Sequence, residues 1–248
     1  MKNLFLIILL FQAPGIFGQA DWARTNTCEY KNFNNSDLIE QLIDGMTIEE
    51  KVGQVIQGDL DFISPQDVKK FKIGSVLNGG NTAPNGNKYS SVDDWKSLSK
   101  EFYDASPTYK GIKVPVLWGT DAVHGHNNVI GATLFPHNIG LGATGNIELM
   151  RRIGEVIALE VLSTGVAWTF APTIAVPQDD RWGRTYEGFS EDPILVSKLG
   201  KAFVLGLQGE GDSLLDNNHV LATAKHFMGD GGTFEGIDQG NTRISEIG

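Results

Sequence analysis

The sequence predicts an α/β fold in which a parallel sheet is either covered on both faces or closed into a barrel. Three observations support this prediction. Short apolar runs alternate with helical stretches, the runs are rich in β-branched residues, and one intervening stretch carries an apolar stripe at helical spacing. Such alternation builds parallel βαβ units, and uninterrupted apolar strands are typical of buried sheets. The chain of 248 residues is long enough for one barrel-sized domain or two small ones.

The first twenty residues predict a secretory signal peptide that is separate from the fold. Lys2 precedes the apolar run Leu4–Phe11, which a Pro14–Gly15 break follows. The run is shorter than the about 20 residues that span a bilayer, and no later stretch approaches that length. The alternative is a buried N-terminal helix. We expect residues 1–20 to be removed, residues 21–248 to form the mature part, and the protein to be secreted or periplasmic.

Strand candidates are short apolar runs bounded by glycine, proline or asparagine. They are Val52–Ile56, Ile73–Leu77, Val114–Trp118, Val166–Phe170 and Val220–Ala224. Helical candidates lie between them, at Pro65–Phe71, Val92–Ala105, Asn146–Ser163 and Pro193–Leu207. A further helix is predicted to begin at Thr47, because Thr47 and Glu50 form a capping-box pattern.

The third helical candidate has the clearest periodicity. Apolar residues recur there every three or four positions, at Ile147, Met150, Ile153, Ile157 and Val161. This spacing predicts an amphipathic helix that lays one apolar stripe against a sheet.

The charge balance indicates which partners to expect. The chain has 30 acidic and 20 basic residues, a formal net charge of −10, which repels phosphate backbones and anionic lipid surfaces. We therefore expect no nucleic acid and no membrane as the main partner, and a neutral or cationic ligand fits better. Cys28 is the only cysteine, so no disulfide can form within the chain.

Charged and hydrogen-bonding residues crowd the segments that follow three strand candidates. These segments are residues 119–128, 179–187 and 225–233. In a parallel barrel the carboxyl ends of the strands converge on one face, where ligand chemistry sits. Convergence would bring together donors and acceptors suited to several hydroxyls at once: Asp121, Arg184, Lys225 and His226. Trp118 and Trp182 are candidates to stack on a sugar ring or to support the site from behind, and Glu187 is a candidate for support.

Each of these residues also has a purely structural interpretation. Asp121 could cap the following turn, Arg184 and Glu187 could form a surface pair, and Lys225–His226 could be partly buried packing. His124, His126 and His137 are conceivable metal ligands, but no acidic or cysteine partner lies at an established spacing. The glycine-rich segment 229–233 lacks both the lysine of a phosphate-binding P-loop and the spacing of a dinucleotide-binding loop. We expect neither a metal nor a cofactor.

The same segments resemble the N-terminal barrel domain of glycoside hydrolase family 3, which includes β-glucosidases and exo-β-glucanases. The resemblance extends from about Leu38 to the end of the chain. It is carried by GTDAVHG at 119–125, GATLFP at 131–136, RWGRTYE at 181–187 with SEDP at 190–193, and KHF at 225–227. It implies a (β/α)8 TIM-barrel-like N-terminal domain that is incomplete in this chain. Met228–Thr233 stands where the N-acetylglucosaminidase branch has Pro-Gly-His-Gly, which favours the glucosidase and exo-glucanase branch.

The resemblance implies hydrolysis of terminal β-D-glucosyl residues from β-glucosides or β-glucan oligosaccharides by a retaining mechanism. Asp121, Arg184, Lys225 and His226 match the family residues that hold the sugar. The family's nucleophile lies in an SDW-like stretch, and neither that stretch nor the motif of the acid occurs here. We therefore expect no catalytic residue in this chain, with both carboxylates beyond Gly248 and the chain inactive alone. The alternative is a non-catalytic secreted carbohydrate-binding protein.

Overall fold

The computed structural model describes residues 36–79 and 82–243. The predicted signal peptide and Cys28 lie outside the described residues. Helices in the described part are α1 (Ser36–Asp44), α2 (Ile48–Gln54), α3 (Pro65–Phe71), α4 (Val92–Ala105), α5 (Asn138–Ala143), α6 (Ile147–Ser163) and α7 (Pro193–Gln208). Strands are β1 (Gln57–Asp59), β2 (Ser75–Asn78), β3 (Thr108–Tyr109), β4 (Ile112–Lys113), β5 (Leu117–Thr120), β6 (Trp168–Thr169) and β7 (Leu221–Ala222). No helix among these residues is long and apolar enough to cross a membrane.

Five strands form one parallel sheet in the order β1-β2-β5-β6-β7. β3 and β4 form a separate antiparallel hairpin between α4 and β5. The order of the sheet follows the chain without reversal, as the strands of a (β/α) barrel do. The α/β prediction is confirmed, and in the described residues the five strands form an open sheet with β1 and β7 at its edges. Because the strands are parallel, their carboxyl ends all lie at the same end of the sheet, and the site is built there.

Local hydrogen bonds fix the starts of the helices. The side chain of Thr47 accepts from the Glu50 amide while Glu50 caps the Thr47 amide, and Ser64 with Asp67 and Ser91 with Asp94 repeat this exchange. The predicted helices at Pro65–Phe71 and Val92–Ala105 are confirmed with the same bounds, and the two longer ones are confirmed to within one residue.

The predicted strand at Val52–Ile56 is wrong. The helix that Thr47 caps continues to Gln54, and the strand begins only at Gln57. Val52 and Val55 are 50% and 85% exposed, whereas Gly53 is buried. A Cβ on Gly53 would lie 2.2 Å from the Phe71 carbonyl oxygen, so α2 packs through its glycine rather than through its valines. The predicted strand at Val114–Trp118 lies too early, because the paired residues are Leu117–Thr120.

The core is centred on the contact between α6 and α7. Met150, Ile153, Ile157 and Val161 of the predicted stripe are buried, and only Ile147, at the first turn, is 46% exposed. The two helices approach closely at a pair of glycines. A Cβ on Gly154 would lie 2.6 Å from the Phe203 oxygen, and one on Gly206 would lie 2.1 Å from the Arg151 oxygen. This tight pair supports the strands that carry the site.

Candidate functional site

The ends of β5 and β7 are joined by an ion pair. Asp121 follows β5 directly, and Lys225 lies three residues beyond β7, where it forms a parallel bridge with Thr173. The Lys225 Nζ donates to Asp121 Oδ1 over 2.6 Å. The Lys225 side chain is only 16% exposed and that of Asp121 is 42% exposed, so the ammonium is held inward while the carboxylate is open to a ligand.

The segment between β6 and α7 contributes a second ion pair. Arg184 precedes the 3-10 turn Thr185–Glu187, and this turn brings its guanidinium back onto Glu187. The two N–H···O bonds, from Nε and Nη2, measure 2.8 and 2.7 Å. Burial raises the pKa of Glu187, but hydrogen bonds and charge from Arg184 outweigh it, and the pKa lies below its ordinary value. The same bonds raise the pKa of Arg184. Both groups are therefore charged, and both are partly buried.

His226 connects the second pair to the last loop. Its Nε2 lies 3.2 Å from Nη2 of Arg184, and its Nδ1 lies 2.7 Å from Oδ2 of Asp230. The peptide bonds Lys225–His226 and Phe227–Met228 are cis. The two contacts of His226, together with the bonds between Arg184 and Glu187, form an unbroken series from Asp230 to Glu187.

The two ion pairs line one cleft with a volume of about 240 Å³. Its lining residues are Asp121, Val123, His124, Asn127, His137, Arg184, Glu187 and Lys225. Three of the four predicted binding residues therefore share the cleft, and His226 reaches it through Arg184. Two positive and two negative side chains face the same small space, which gives a polar, charge-balanced surface.

His124, His137 and Asn127 also line the cleft, although the sequence did not predict them as part of the ligand site. The rings of His124 and His137 lie 4.3 Å apart between centroids, and Tyr186 packs edge-on against His137 at 4.6 Å. Burial and the neighbouring His124 lower the pKa of His137, against the opposing effect of Glu187. The signal for both histidines is present in the sequence, since they flank the GATLFP segment, but their spacing pointed only to a possible metal site.

The three histidines do not converge. His126 is fully buried, and its Nε2 lies 3.1 Å from the Thr164 hydroxyl. Burial lowers the pKa of His126 to about 4. Across residues 36–79 and 82–243, no group of three or more His, Cys, Asp or Glu side chains is arranged to hold a metal ion.

The two tryptophans do not present a face to the cleft. Trp118 is 4% exposed, and its Nε1 donates to Asn78 Oδ1 at 2.8 Å. Trp182 is 1% exposed, and its Nε1 donates to Asp238 Oδ1 at 2.8 Å. Neither ring is therefore placed to stack on a sugar in this structure, which corrects that prediction, because each ring is packed in the interior. Interior packing of this kind suits the supporting role.

A comparison with family models matches residues 47–246 to the glycosyl hydrolase family 3 N terminal domain. The chain belongs to glycosyl hydrolase family 3. The matched range contains the cleft and both ion pairs. This confirms the resemblance carried by the strand-end motifs.

Relatives in family 3 include two β-glucosidases. A lysosomal beta glucosidase of Dictyostelium discoideum is 34% identical over 230 residues, covering 84% of this chain and 28% of that protein. A periplasmic beta-glucosidase of Salmonella typhimurium is 31% identical over 205 residues, covering 83% and 25%. The crystal structure of an exo-1,3/1,4-beta-glucanase from a Pseudoalteromonas species matches with a TM-score of 0.81 at 52% identity, covering 85% of this chain and 27% of that one. The chain therefore spans roughly a quarter of the length of these relatives.

Proposed function

We propose that this chain binds the terminal glucosyl residue of a β-glucoside or β-glucan oligosaccharide. The observation that carries the proposal is the cleft in which the Asp121–Lys225 and Arg184–Glu187 pairs meet. Fixed donors and acceptors on several sides of a small space suit a ligand with several hydroxyl groups. The opposite charges balance, which suits a ligand without net charge.

The reaction proposed for the whole protein is hydrolysis of the glycosidic bond with retention. Such a reaction uses one carboxylate as nucleophile and one carboxylic acid as proton donor, about 5–5.5 Å apart. Both carboxylates that line the cleft are held by cations, Asp121 by Lys225 and Glu187 by Arg184. A carboxylate held in this way is suited to orienting a hydroxyl. We therefore assign both to sugar binding and neither to the chemical step.

The proposed location is secreted or periplasmic. The sequence pattern of residues 1–20 supports this, and the names of the two β-glucosidase relatives, lysosomal and periplasmic, agree with a location outside the cytoplasm. The glucanase relative supports a β-1,3- or β-1,4-linked substrate.

The test is a calorimetric titration of the chain with glucose and with laminaribiose. We expect both sugars to bind, and Asp121→Ala to weaken binding by about tenfold or more, since one charged hydrogen-bonding partner is worth about 1.5–3 kcal/mol. Asp104→Ala is the matched control. Asp104 is exposed, lies in the last turn of α4 and pairs with the exposed Lys100, so its loss should leave affinity unchanged. Unchanged binding in Asp121→Ala would show that these residues serve packing alone.

Turnover separates the enzyme from the binding protein. We expect the 248-residue chain to bind sugar without releasing phenol from an aryl β-glucoside. Steady release at the rate of a complete family member would contradict the assignment of Asp121 and Glu187 to sugar binding alone. If a longer protein that contains this chain also binds without turnover, the second candidate, a non-catalytic carbohydrate-binding protein, is favoured.

A further inference from the structure

A hydrogen-bonded series runs from Asp230 through His226 to the Arg184–Glu187 pair. Asp230 Oδ2 lies 2.7 Å from His226 Nδ1, and His226 Nε2 lies 3.2 Å from Arg184 Nη2. His226 therefore has one partner on each ring nitrogen. The Asp230 side chain is 15% exposed and that of His226 is 38% exposed, so both contacts are partly buried.

The chemistry of the partners fixes the proton on His226. An arginine guanidinium carries only donors, so the bond at Nε2 requires a lone pair on that nitrogen. A carboxylate carries only acceptors, so the bond at Nδ1 requires the proton there. The series is thus consistent with one form of the side chain, the neutral imidazole protonated at Nδ1. Protonation of Nε2 would set a second donor against the guanidinium of Arg184.

The backbone on both sides of Asp230 is held in place. Gly229 and Gly231 have φ angles of 87° and 91°, which side-chain-bearing residues rarely adopt. The Gly229 oxygen accepts from the Thr242 hydroxyl at 3.2 Å, and the Gly231 oxygen accepts from the Gln178 amide at 3.0 Å. Asp230 is therefore presented to His226 from a fixed turn rather than from a free loop.

We propose that Asp230 is a positioning residue that holds His226 in its Nδ1-protonated form and so keeps Nε2 an acceptor beside the sugar cleft. Through Nε2, His226 accepts from Arg184 Nη2, the same nitrogen that donates to Glu187 Oε2, and so steadies the guanidinium. The one lone pair at Nε2 is taken by Arg184, so His226 acts on the sugar cleft through the guanidinium. The proposal rests on the proposed function for its effect on sugar binding, but the protonation state of His226 is independent of that function.

The experiment is nitrogen-15 NMR of the histidine side chains in the labelled chain, above pH 8, where imidazoles are ordinarily neutral. The chain has five histidines, so a His226→Gln variant assigns the signal. We expect His226 to show the Nδ1–H pattern in the wild type and to shift toward the Nε2–H pattern in Asp230→Ala. Asp230→Asn keeps a carbonyl acceptor of the same size and should retain the Nδ1–H pattern. Asp104→Ala is again the control.

Glucose titrations of the same proteins complete the test. We expect glucose affinity to fall about five- to tenfold in Asp230→Ala and less than about twofold in Asp230→Asn, since one hydrogen bond is worth about 1 kcal/mol. An Nε2–H pattern in the wild type, or an unchanged Nδ1–H pattern in Asp230→Ala, would overturn the proposal. If the wild type binds no glucose, the proposed function fails, while the NMR patterns still decide the role of Asp230. If Asp230→Ala does not fold, an Nε2–H pattern in Asp230→Asn overturns the proposal and an Nδ1–H pattern supports it.

Discussion

Lys225 Nζ and Asp121 Oδ1 lie 2.6 Å apart although the two residues are 104 positions apart in sequence. Each follows a strand of the parallel sheet, β5 for Asp121 and β7 for Lys225, with β6 between them. The pair therefore spans the carboxyl edge of three strands. Its formation depends on the whole intervening βα unit, because only the packed sheet brings the two strand ends into register.

Asp121 and Lys225 should be energetically coupled. Removing the carboxylate by Asp121→Ala leaves the largely buried ammonium without this bond, and we expect the free energy of unfolding to fall by about 1–3 kcal/mol. Lys225→Met should cost a similar amount, and the double variant should cost less than the sum of the two. Urea unfolding of the wild type and the three variants measures the coupling. Strict additivity would mean that the pair contributes nothing to stability.

Arg184→Lys should lose function although it keeps the charge. A lysine can supply one of the two bonds to Glu187 but cannot at the same time reach His226 in the geometry of the guanidinium fork. We expect glucose to bind about tenfold more weakly, as measured by calorimetry. Arg152→Lys, at an exposed position of α6, is the matched control and should bind as the wild type does. Equal affinity of Arg184→Lys would mean that charge alone suffices.

His126 should make stability fall in mild acid. Burial lowers its pKa from 6.5 to about 4, so between these pH values the unfolded chain binds a proton that the folded chain does not bind. The stabilisation is complete above pH 6.5 and is lost as the pH falls from 6.5 toward 4, by on the order of 3 kcal/mol. Denaturant unfolding at several pH values measures this loss. A His126→Gln variant should show a shallower decline over this window, and an identical slope would contradict the assignment.

Gly236→Ala should destabilise the loop around Gly236, which packs against Arg181 and Trp182. Gly236 has a φ of 68°, and an added Cβ would lie 2.7 Å from the backbone nitrogen of Trp182. We expect a loss of about 1–3 kcal/mol in the free energy of unfolding and faster proteolysis within residues 229–242. Gly183→Ala, in the neighbouring segment, is the control, because a Cβ there meets no atom within 4 Å. Equal effects of the two substitutions would contradict the steric argument.

Much of the fold was predictable because its signals are local. The helix that begins at Thr47 is fixed by hydrogen bonds between residues three positions apart, and Pro65–Phe71 and Val92–Ala105 have bounds that sequence reasoning reached in full. The apolar stripe of α6 was likewise readable, since helical periodicity assigns Met150 and Ile157 to one face. The motifs after the strands identified Asp121, Arg184 and Lys225, which share the cleft.

Other features depended on what packs against a segment, and sequence alone did not reveal them. The valines near residue 52 read as a strand because their β-branched side chains favour one, yet the capped helix continues and leaves Val52 half exposed. Trp182 beside two arginines read as a stacking surface, but the loop around Asp238 covers it.

The sequence by itself determined the α/β class, most of the helices and the residues that gather at the strand ends. Only the tertiary structure decided that Lys225 pairs with Asp121, that His226 lies between Arg184 and Asp230, and that Trp118 and Trp182 are buried. The physical reason is the distance along the chain over which each kind of interaction acts. Caps and periodicity act over three or four residues, whereas burial and ion pairing depend on groups that come together only when distant strands align.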